Sequence, residues 1–179
     1  MQQASDRVSV YIDGSNLYHA LSQLGRRDLD FGLFAAKLTD KRLLVRTYYY
    51  NAPIDQTKES QRYIEQQRFF QALKTVPYLE LRLGRLIYQG WPNVSPHEKG
   101  VDIKIATDML VHGFRGHYNT AILVSGDNDF EDALQGIKDL GLHVEVALFG
   151  QRTSQRLREV ADEVIFLDAT YLADCWRSK

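Results

Sequence analysis

Two carboxylates separated by one residue, Asp127 and Asp129, follow a short and mostly apolar segment, residues 120–124, after the small residues Ser125 and Gly126. An apolar run without alternation is typical of a strand that is buried on both faces of a parallel sheet. Apolar residues recur at helical spacing from Phe130 onward, so the carboxylates bridge a strand and a helix. In open α/β sheets such bridges lie at the carboxyl ends of the strands, where ligands bind. Carboxylates at that edge can bind a divalent cation, which favours hard oxygen ligands.

The same segment also suits the start of a helix. Asp127, Asn128 and Asp129 are all favoured N-cap residues, and Glu131 stands three residues after Asn128, as in a capping box. A cap needs one such side chain, whereas three stand in a row here beside Gly126. Taken alone, the segment is compatible with capping and with metal binding.

A second junction of this kind occurs near the start of the chain. The predicted strand 8–12 ends at Asp13, and Gly14, Ser15 and Asn16 precede a segment with helical apolar spacing. A tight Asp-Gly turn followed by an N-cap at Ser15 or Asn16 is the simpler interpretation. The alternative is a second carboxylate beside the first pair, because parallel strands end at one edge of their sheet.

A third carboxylate segment is the start of a predicted helix that runs to about Phe114. Asp102 lies in its first turn, on the edge of the apolar face, where a negative charge complements the helix dipole. That position also points the side chain toward the sheet, so we include Asp102 in the predicted site. Asp108 falls on the same stripe as Lys104 and His112, so we expect a solvated charge there and exclude it.

Four carboxylates that converge repel one another unless protons or cations compensate them. Mg²⁺ or Mn²⁺ fits these ligand types, and such an ion can activate water and stabilise a phosphodiester under in-line attack. This arrangement predicts a nuclease, with metal ligands and catalytic residues Asp13, Asp102, Asp127 and Asp129. Polar residues beside them are predicted to bind phosphate oxygens or orient the water, namely Ser15, Asn16, Lys99 and Ser125.

Strands and helices alternate along most of the chain, which predicts an α/β fold: a three-layer α/β/α sandwich with a mainly parallel central sheet. No composition shift marks a linker, so we expect a single domain over residues 1–179. Within it, we expect a helix over residues 55–74, one edge strand over 79–88, a loop over 89–100 and a C-terminal helix from Asp168.

Composition narrows the class of protein only slightly. Lys plus Arg number 22 and Asp plus Glu 23, so net charge neither indicates nor excludes nucleic acid. The single cysteine, Cys175, excludes an internal disulfide and a cysteine-based zinc cluster. Residues 1–7 are polar, without the apolar region of a signal peptide, and no apolar run approaches the ~20 residues of a membrane span. We therefore expect a soluble, cytoplasmic protein that does not contact membranes.

Three segments together resemble the NYN domain of the LabA-like group, within the wider PIN-like nuclease fold: residues 10–16, 99–102 and 123–130. Residues 141–146 are similar to the strand that follows in that family, and the resemblance covers roughly Val8 to Leu167. It implies a three-layer α/β/α (Rossmann-like) fold and a Mg²⁺- or Mn²⁺-dependent ribonuclease site. It also implies metal-binding roles for the four aspartates named above.

Three functional hypotheses follow. The first is a metal-dependent ribonuclease that acts on RNA, expected to be single-stranded. The second is a non-catalytic RNA-binding or regulatory module that retains the acidic metal site. The third is a phosphatase or nucleotide hydrolase that uses the same ions on small substrates. A homodimer is a further hypothesis. Trp91, in the predicted loop, either contacts a ligand or covers the core. Five arginines form a phosphate-binding rim or are ordinary solvated side chains: Arg82, Arg85, Arg152, Arg156 and Arg158.

Overall fold

A computed structural model describes residues 6–150 and 154–177 of the chain, and Arg152 lies outside the described residues. Eight strands are present over these residues: β1 (Arg7–Asp13), β2 (Leu43–Asn51), β3 (Leu79–Leu83), β4 (Arg85–Ile87), β5 (His97–Lys99), β6 (Thr120–Val124), β7 (His143–Leu148) and β8 (Glu163–Phe166). The helices are α1 (Gly14–Gln23), α2 (Phe31–Thr39), α3 (Ser60–Lys74), α4 (Val101–Phe114), α5 (Glu131–Asp139) and α6 (Gln155–Val160).

The central sheet has six parallel strands in the order β3-β2-β1-β6-β7-β8. The strand order reverses between β1 and β6, because the chain winds outward from β1 to one edge and from β6 to the other. In open α/β sheets, ligands bind at the carboxyl ends of the strands at this switch point. Asp13 ends β1 and Ser125 follows β6, so the two predicted junctions meet there.

Helices cover both faces of the sheet, which confirms the predicted α/β sandwich. Val8, Val10 and Ile12 of β1 belong to a core cluster with residues of α1, α2 and α3. Tyr11, on the opposite face of the strand, belongs to a second cluster with residues of α4, α5 and α6. Alternate residues of a strand face opposite sides, so a central strand must be apolar throughout to fill both cores.

The stretch predicted as one edge strand, residues 79–88, is divided at Gly84. The first part, β3, joins the central sheet, whereas β4 pairs with β5 in a separate antiparallel ribbon. A Cβ atom at Gly84 would lie 2.6 Å from a methyl group of Val101, so glycine allows the close packing of α4 here. Because residues 97–99 form β5, the prediction of a loop over 89–100 was wrong for these three residues.

Two helix predictions were also wrong in extent. The helix predicted from Asp55 begins at Ser60, because the Asp55 carboxylate accepts hydrogen bonds from the backbone N–H (2.8 Å) and hydroxyl (2.7 Å) of Thr57 in a local turn. The segment after Asp168 forms successive turns and not a helix over its described residues. There the Asp168 carboxylate accepts a hydrogen bond of 2.7 Å from the Tyr171 N–H.

The polar stripe predicted for α4 faces the sheet. Asp108 is partly buried and accepts a hydrogen bond of 2.9 Å from the Tyr50 hydroxyl. His112 is buried, and its Nδ1 lies 3.0 Å from the Tyr11 hydroxyl. Sheet tyrosines supply polar partners inside this core, so the polar residues of α4 do not have to face water. The prediction of a solvated Asp108 was wrong.

No helix over residues 6–150 and 154–177 combines the length and the apolar character that a membrane span requires.

Candidate active site

Asp13 is the most enclosed of the predicted carboxylates, with 5 % of its surface exposed. One carboxylate oxygen accepts a hydrogen bond from the Asn16 N–H (3.0 Å), and the other accepts one from the Ser125 hydroxyl (3.0 Å). Asp13 is therefore itself the N-cap of α1, where Ser15 or Asn16 was the expected cap. Burial raises the pKa of Asp13, and the Asp127 charge adds to this, while the hydrogen bonds counteract both.

Gly14 permits the direct transition from β1 into α1. A Cβ atom at this position would lie 2.4 Å from the Tyr50 carbonyl oxygen and 2.5 Å from the Tyr49 ring. Only glycine lets the helix begin against β2 without displacing backbone. The Asp-Gly pair is thus a packing requirement that fixes the position of the Asp13 carboxylate.

Ser125 joins the ends of the two central strands. Its hydroxyl donates to Asp13 and accepts a hydrogen bond of 3.2 Å from the Asp127 N–H. The Asn16 side-chain oxygen accepts a further hydrogen bond of 3.1 Å from the Gly126 N–H. Ser125 is 2 % exposed, so its hydroxyl orients the carboxylate and does not face solvent. Its predicted role toward phosphate, and that of Asn16, stay predictions.

Asp127 has the capping role that was weighed against metal binding. It precedes a 3-10 turn, Asn128–Phe130, and its Oδ1 accepts a hydrogen bond of 3.0 Å from the Asp129 N–H. A carboxylate has two oxygens and about four lone-pair sites, so capping does not prevent Asp127 from binding a cation. The two interpretations are compatible in this structure.

A further contact fixes the loop after β6 from the side of α6. Ser154, the residue before α6, has a positive backbone φ of 64° and donates a hydrogen bond from its hydroxyl to the Gly126 carbonyl. A serine in this conformation is strained. Together with the bonds of Ser125 and Asn16, it holds Gly126 and Asp127 in place.

Asp102 and Asp129 are solvent-exposed, so the expectation that Asp102 points toward the sheet and away from water was wrong, but both residues belong to the same electrostatic site. Partial burial raises the pKa of Asp102, and the charges of Asp13, Asp127 and Asp129 raise it further. The four predicted aspartates therefore act on one another through space, although they come from three separate segments of the chain.

Glu98 is a fifth carboxylate of the site, which the sequence did not reveal. Burial, followed by the charges of Asp13 and Asp102, raises its pKa to about 7. It lies in β5, inside the segment predicted as a loop. Alternation along β5 places the neighbouring Lys99, which is exposed, on the opposite face of the ribbon. The phosphate contact expected of Lys99 stays a prediction.

The donor set fits a hard divalent cation. Every member is a carboxylate. Burial, and after it the charges of neighbouring carboxylates, raise the pKa values of Asp13, Asp102 and Glu98, and a cation would favour the charged form of each group. Across residues 6–150 and 154–177, one trio of ligand-type side chains comes within 4.8 Å, and it is His143, Glu145 and Glu163. That trio lies at the opposite edge of the sheet, where Arg42 pairs with Glu145. The aspartate site thus favours an ion held by one or two carboxylates and several waters, as is common for Mg²⁺.

Two of the arginines that were weighed as a phosphate rim, Arg82 and Arg156, form ion pairs with carboxylates. Arg82 forms an ion pair of 2.7 Å with Glu80 and lies 3.9 Å from Asp108. Arg156 lies 3.6 Å from Glu131 in an exposed pair. For Arg82, these contacts indicate a role in packing α4 on the sheet.

The chain is similar to known proteins in its sequence and in its fold. The family model of the NYN domain matches residues 7–168. The chain is 27 % identical over 169 residues to the low amplitude and bright protein LabA of Synechococcus elongatus, covering 90 % of this chain and 84 % of that protein. A crystal structure of a protein of unknown function from Vibrio parahaemolyticus superposes with a TM-score of 0.74 at 22 % identity. That match covers 98 % of this chain and 99 % of the other, and it supports the fold.

Proposed function

Because the chain belongs to the NYN domain family, we propose that it is a ribonuclease that hydrolyses RNA phosphodiester bonds with the help of Mg²⁺ or Mn²⁺. The observation that carries the proposal is the meeting of five carboxylates at the switch point of the sheet, where burial and then the charges of neighbouring carboxylates raise the pKa values of Asp13, Asp102 and Glu98. A strand connection or a helix cap needs one such group. Five in one place are costly without a cation, which makes a metal-binding role the better explanation.

In this proposal the cation is held by carboxylates from the set Asp13, Asp102, Asp127 and Asp129. When bound, it would supply positive charge for the phosphate and lower the pKa of a coordinated water. The remaining contributions come from the chain itself. Ser125 orients Asp13, and the bond from the Gly126 N–H to Asn16 sets the distance between the two loops. These positions are fixed before substrate arrives, as catalysis by positioning requires.

We assign Glu98 as the proton acceptor for the attacking water. Burial and neighbouring charges raise its pKa to about 7 in the metal-free site, and a bound cation would favour its charged form, which is the form that accepts a proton. It also stands beside Asp13 on the inner face of the β4–β5 ribbon, so it can reach a water between the strands and the ribbon.

One observation favours the second hypothesis, a module that binds RNA without cutting it. Over the described residues, the aspartates do not form a trio as close as the one at the opposite edge of the sheet. A site that retains affinity for phosphate and metal but lacks close ligand geometry would bind RNA without turnover. The two hypotheses differ in a single measurable property, the appearance of shorter RNA products.

The test is cleavage of a labelled, mixed-sequence single-stranded RNA by the purified chain in Mg²⁺, in Mn²⁺ and in EDTA. The ribonuclease proposal expects shorter products in at least one metal lane and none in EDTA. Saturable RNA binding with an intact strand under every condition would instead support the binding module. Release of phosphate from nucleotides or monoesters, with RNA left intact, would point to a phosphatase.

A further inference from the structure

A cavity of about 750 Å³ lies beside the carboxylates, between α1, α3 and the β4–β5 ribbon. Its volume is within the range of small-molecule and cofactor sites, about 300–1,000 Å³. Ser15 of α1, Asn51 at the end of β2, and Glu98 of β5 all line it. Glu98 therefore belongs both to the cavity and to the carboxylate site. Through Glu98, the cavity adjoins the place where we propose that the phosphodiester is cut.

The lining is rich in aromatic side chains. Phe31 and Tyr49 are buried and form its floor, with ring centroids 5.4 Å apart in an edge-to-face contact. Phe69 packs edge-on against Tyr49 at 5.6 Å. Tyr18 is 46 % exposed and Trp91 is partly exposed, so both present ring surface at the opening. Exposed aromatic rings over a cavity are the surfaces on which nucleobases stack in single-strand binding proteins.

Trp91 is held at this opening by its own loop. Its ring contacts Tyr88 edge-on at 5.6 Å. The Tyr88 hydroxyl donates to a Glu59 carboxylate oxygen (3.0 Å) and accepts a hydrogen bond from the Asp55 N–H (3.1 Å). These bonds tie the loop to the segment before α3. This packing fixes Trp91 in the lining of the cavity with its ring partly exposed, which is compatible with the ligand interpretation that the sequence left open.

The cationic side chains of the lining lie on the side of α1 and α3. His19, Arg27 and Arg62 line the cavity on this side, and the Arg27 guanidinium lies 4.7 Å from the Tyr18 ring centroid. Arg62 pairs with Glu59 but is 64 % exposed, and Glu65 adds one carboxylate to that side. Glu98 lines the other end. Aromatic rings with arginines at one end and a metal-binding carboxylate site at the other match a base and its flanking phosphates.

We propose that this cavity binds one unpaired nucleotide of an RNA strand, with its base against Trp91 and Tyr18 and a flanking phosphate near Arg27 and Arg62. This inference rests on the proposed function, because the next phosphate along the strand would then lie at the carboxylates. A base can enter the cavity only when it is not paired or stacked in a helix. The cavity therefore selects single-stranded RNA at the site of cleavage.

The experiment uses the intrinsic fluorescence of Trp91 in a Trp176→Phe variant, since the chain contains two tryptophans. A single-stranded RNA oligonucleotide is titrated in Ca²⁺, and a gel checks that the strand stays intact, so binding is measured without turnover. We expect saturable quenching of Trp91. In the native background, where binding is followed by the anisotropy of a fluorophore attached to the RNA, Trp91→Ala and Tyr18→Ala should each weaken binding by about 5- to 150-fold. Phe114→Ala is the matched control, because Phe114 is an exposed aromatic residue at the far end of α4.

Unchanged affinity in both Trp91→Ala and Tyr18→Ala, or equal quenching by an RNA duplex of the same sequence, would overturn the inference. Thermal melting of each variant shows whether it is folded, since both rings are at least partly exposed. Quenching by single-stranded RNA without cleavage in any metal would refute the ribonuclease and leave the cavity assignment standing. RNA cleavage that does not depend on Trp91 or Tyr18 would refute the cavity assignment and leave the ribonuclease proposal standing.

Discussion

The Ser125 hydroxyl lies 3.0 Å from the Asp13 carboxylate, across the boundary between the first and second halves of the fold. The two residues are separated by 112 positions in the chain, yet both stand at the ends of neighbouring strands. The bond holds a buried carboxylate in one orientation at the point where the sheet changes its winding direction. The geometry of the whole site depends on this contact.

Ser125→Ala should reduce stability and activity together. The substitution leaves a buried carboxylate oxygen and the Asp127 N–H without their partner, which should lower the free energy of unfolding by about 1–3 kcal/mol. Without this hydrogen bond the Asp13 carboxylate loses its fixed orientation, which should reduce kcat more than it changes KM. Urea denaturation and cleavage kinetics measure the two effects. Ser60→Ala, at an exposed position, is the control. A variant with native stability and native kcat would refute the role of Ser125.

Stability without metal should fall as pH rises from about 4.5 to about 7. The folded-state pKa of Glu98, about 7, is raised above its value of about 4.5 in the unfolded chain. Between these values the folded protein keeps a proton that the unfolded chain releases, so its contribution to stability is present below pH 4.5 and lost by pH 7. Because Glu98 is partly solvated, we expect a loss of about 1–2 kcal/mol.

Denaturation in EDTA at several pH values measures this dependence, and Glu98→Gln should flatten it. Adding Mg²⁺ to the native chain should flatten it too, since a bound cation favours the charged carboxylates. A pH profile that is the same for the native chain and Glu98→Gln would show that Glu98 titrates normally.

Glu98→Gln should also identify the chemical role of this residue. A general base contributes about 10²- to 10⁴-fold to the rate, so we expect a loss of that size in kcat. The rise of activity with pH should weaken, while the Mg²⁺ concentration for half-maximal activity should stay the same. Rates measured over a range of pH and of Mg²⁺ concentration distinguish a general base from a metal ligand. A large increase in the Mg²⁺ requirement would make Glu98 a ligand and not the base.

Gly14→Ala should destabilise the fold, although alanine favours helices over glycine by about 1 kcal/mol. Its Cβ atom would lie 2.4 Å from the Tyr50 carbonyl oxygen, which belongs to backbone and cannot move aside. We expect a loss of about 2 kcal/mol or more in unfolding free energy. Gly136→Ala is a matched control within α5, because its new Cβ would meet the flexible end of Leu110. Equal stability of the two variants would contradict the close packing of α1 on β2.

The central strands, and the position of Asp13 and Asp127 at or after their carboxyl ends, were predictable because local signals and tertiary packing agree there. Residues 120–124 had to be apolar to fill two cores, so the pattern showed a buried strand. Glu98 was missed because its surroundings depend on how a short ribbon packs on the sheet, and residues 97–99 carry no clear strand signal. Asp108 was assigned to solvent because the helix pattern does not reveal that Tyr50 and other tyrosines of the facing sheet supply polar partners.

The rate of Mn²⁺- or Mg²⁺-dependent RNA cleavage by Asp127→Asn tests most directly whether the aspartates hold a catalytic cation. It is compared with the rates of the native chain and of Asp139→Asn. Asp139 is an exposed aspartate at the far end of α5, so its variant should cleave like the native chain. We predict that Asp127→Asn folds normally and loses cleavage by at least about 10²-fold, since it removes a charged ligand. Metal-dependent cleavage that persists at the native rate in Asp127→Asn would show that Asp127 is not a ligand of a catalytic cation.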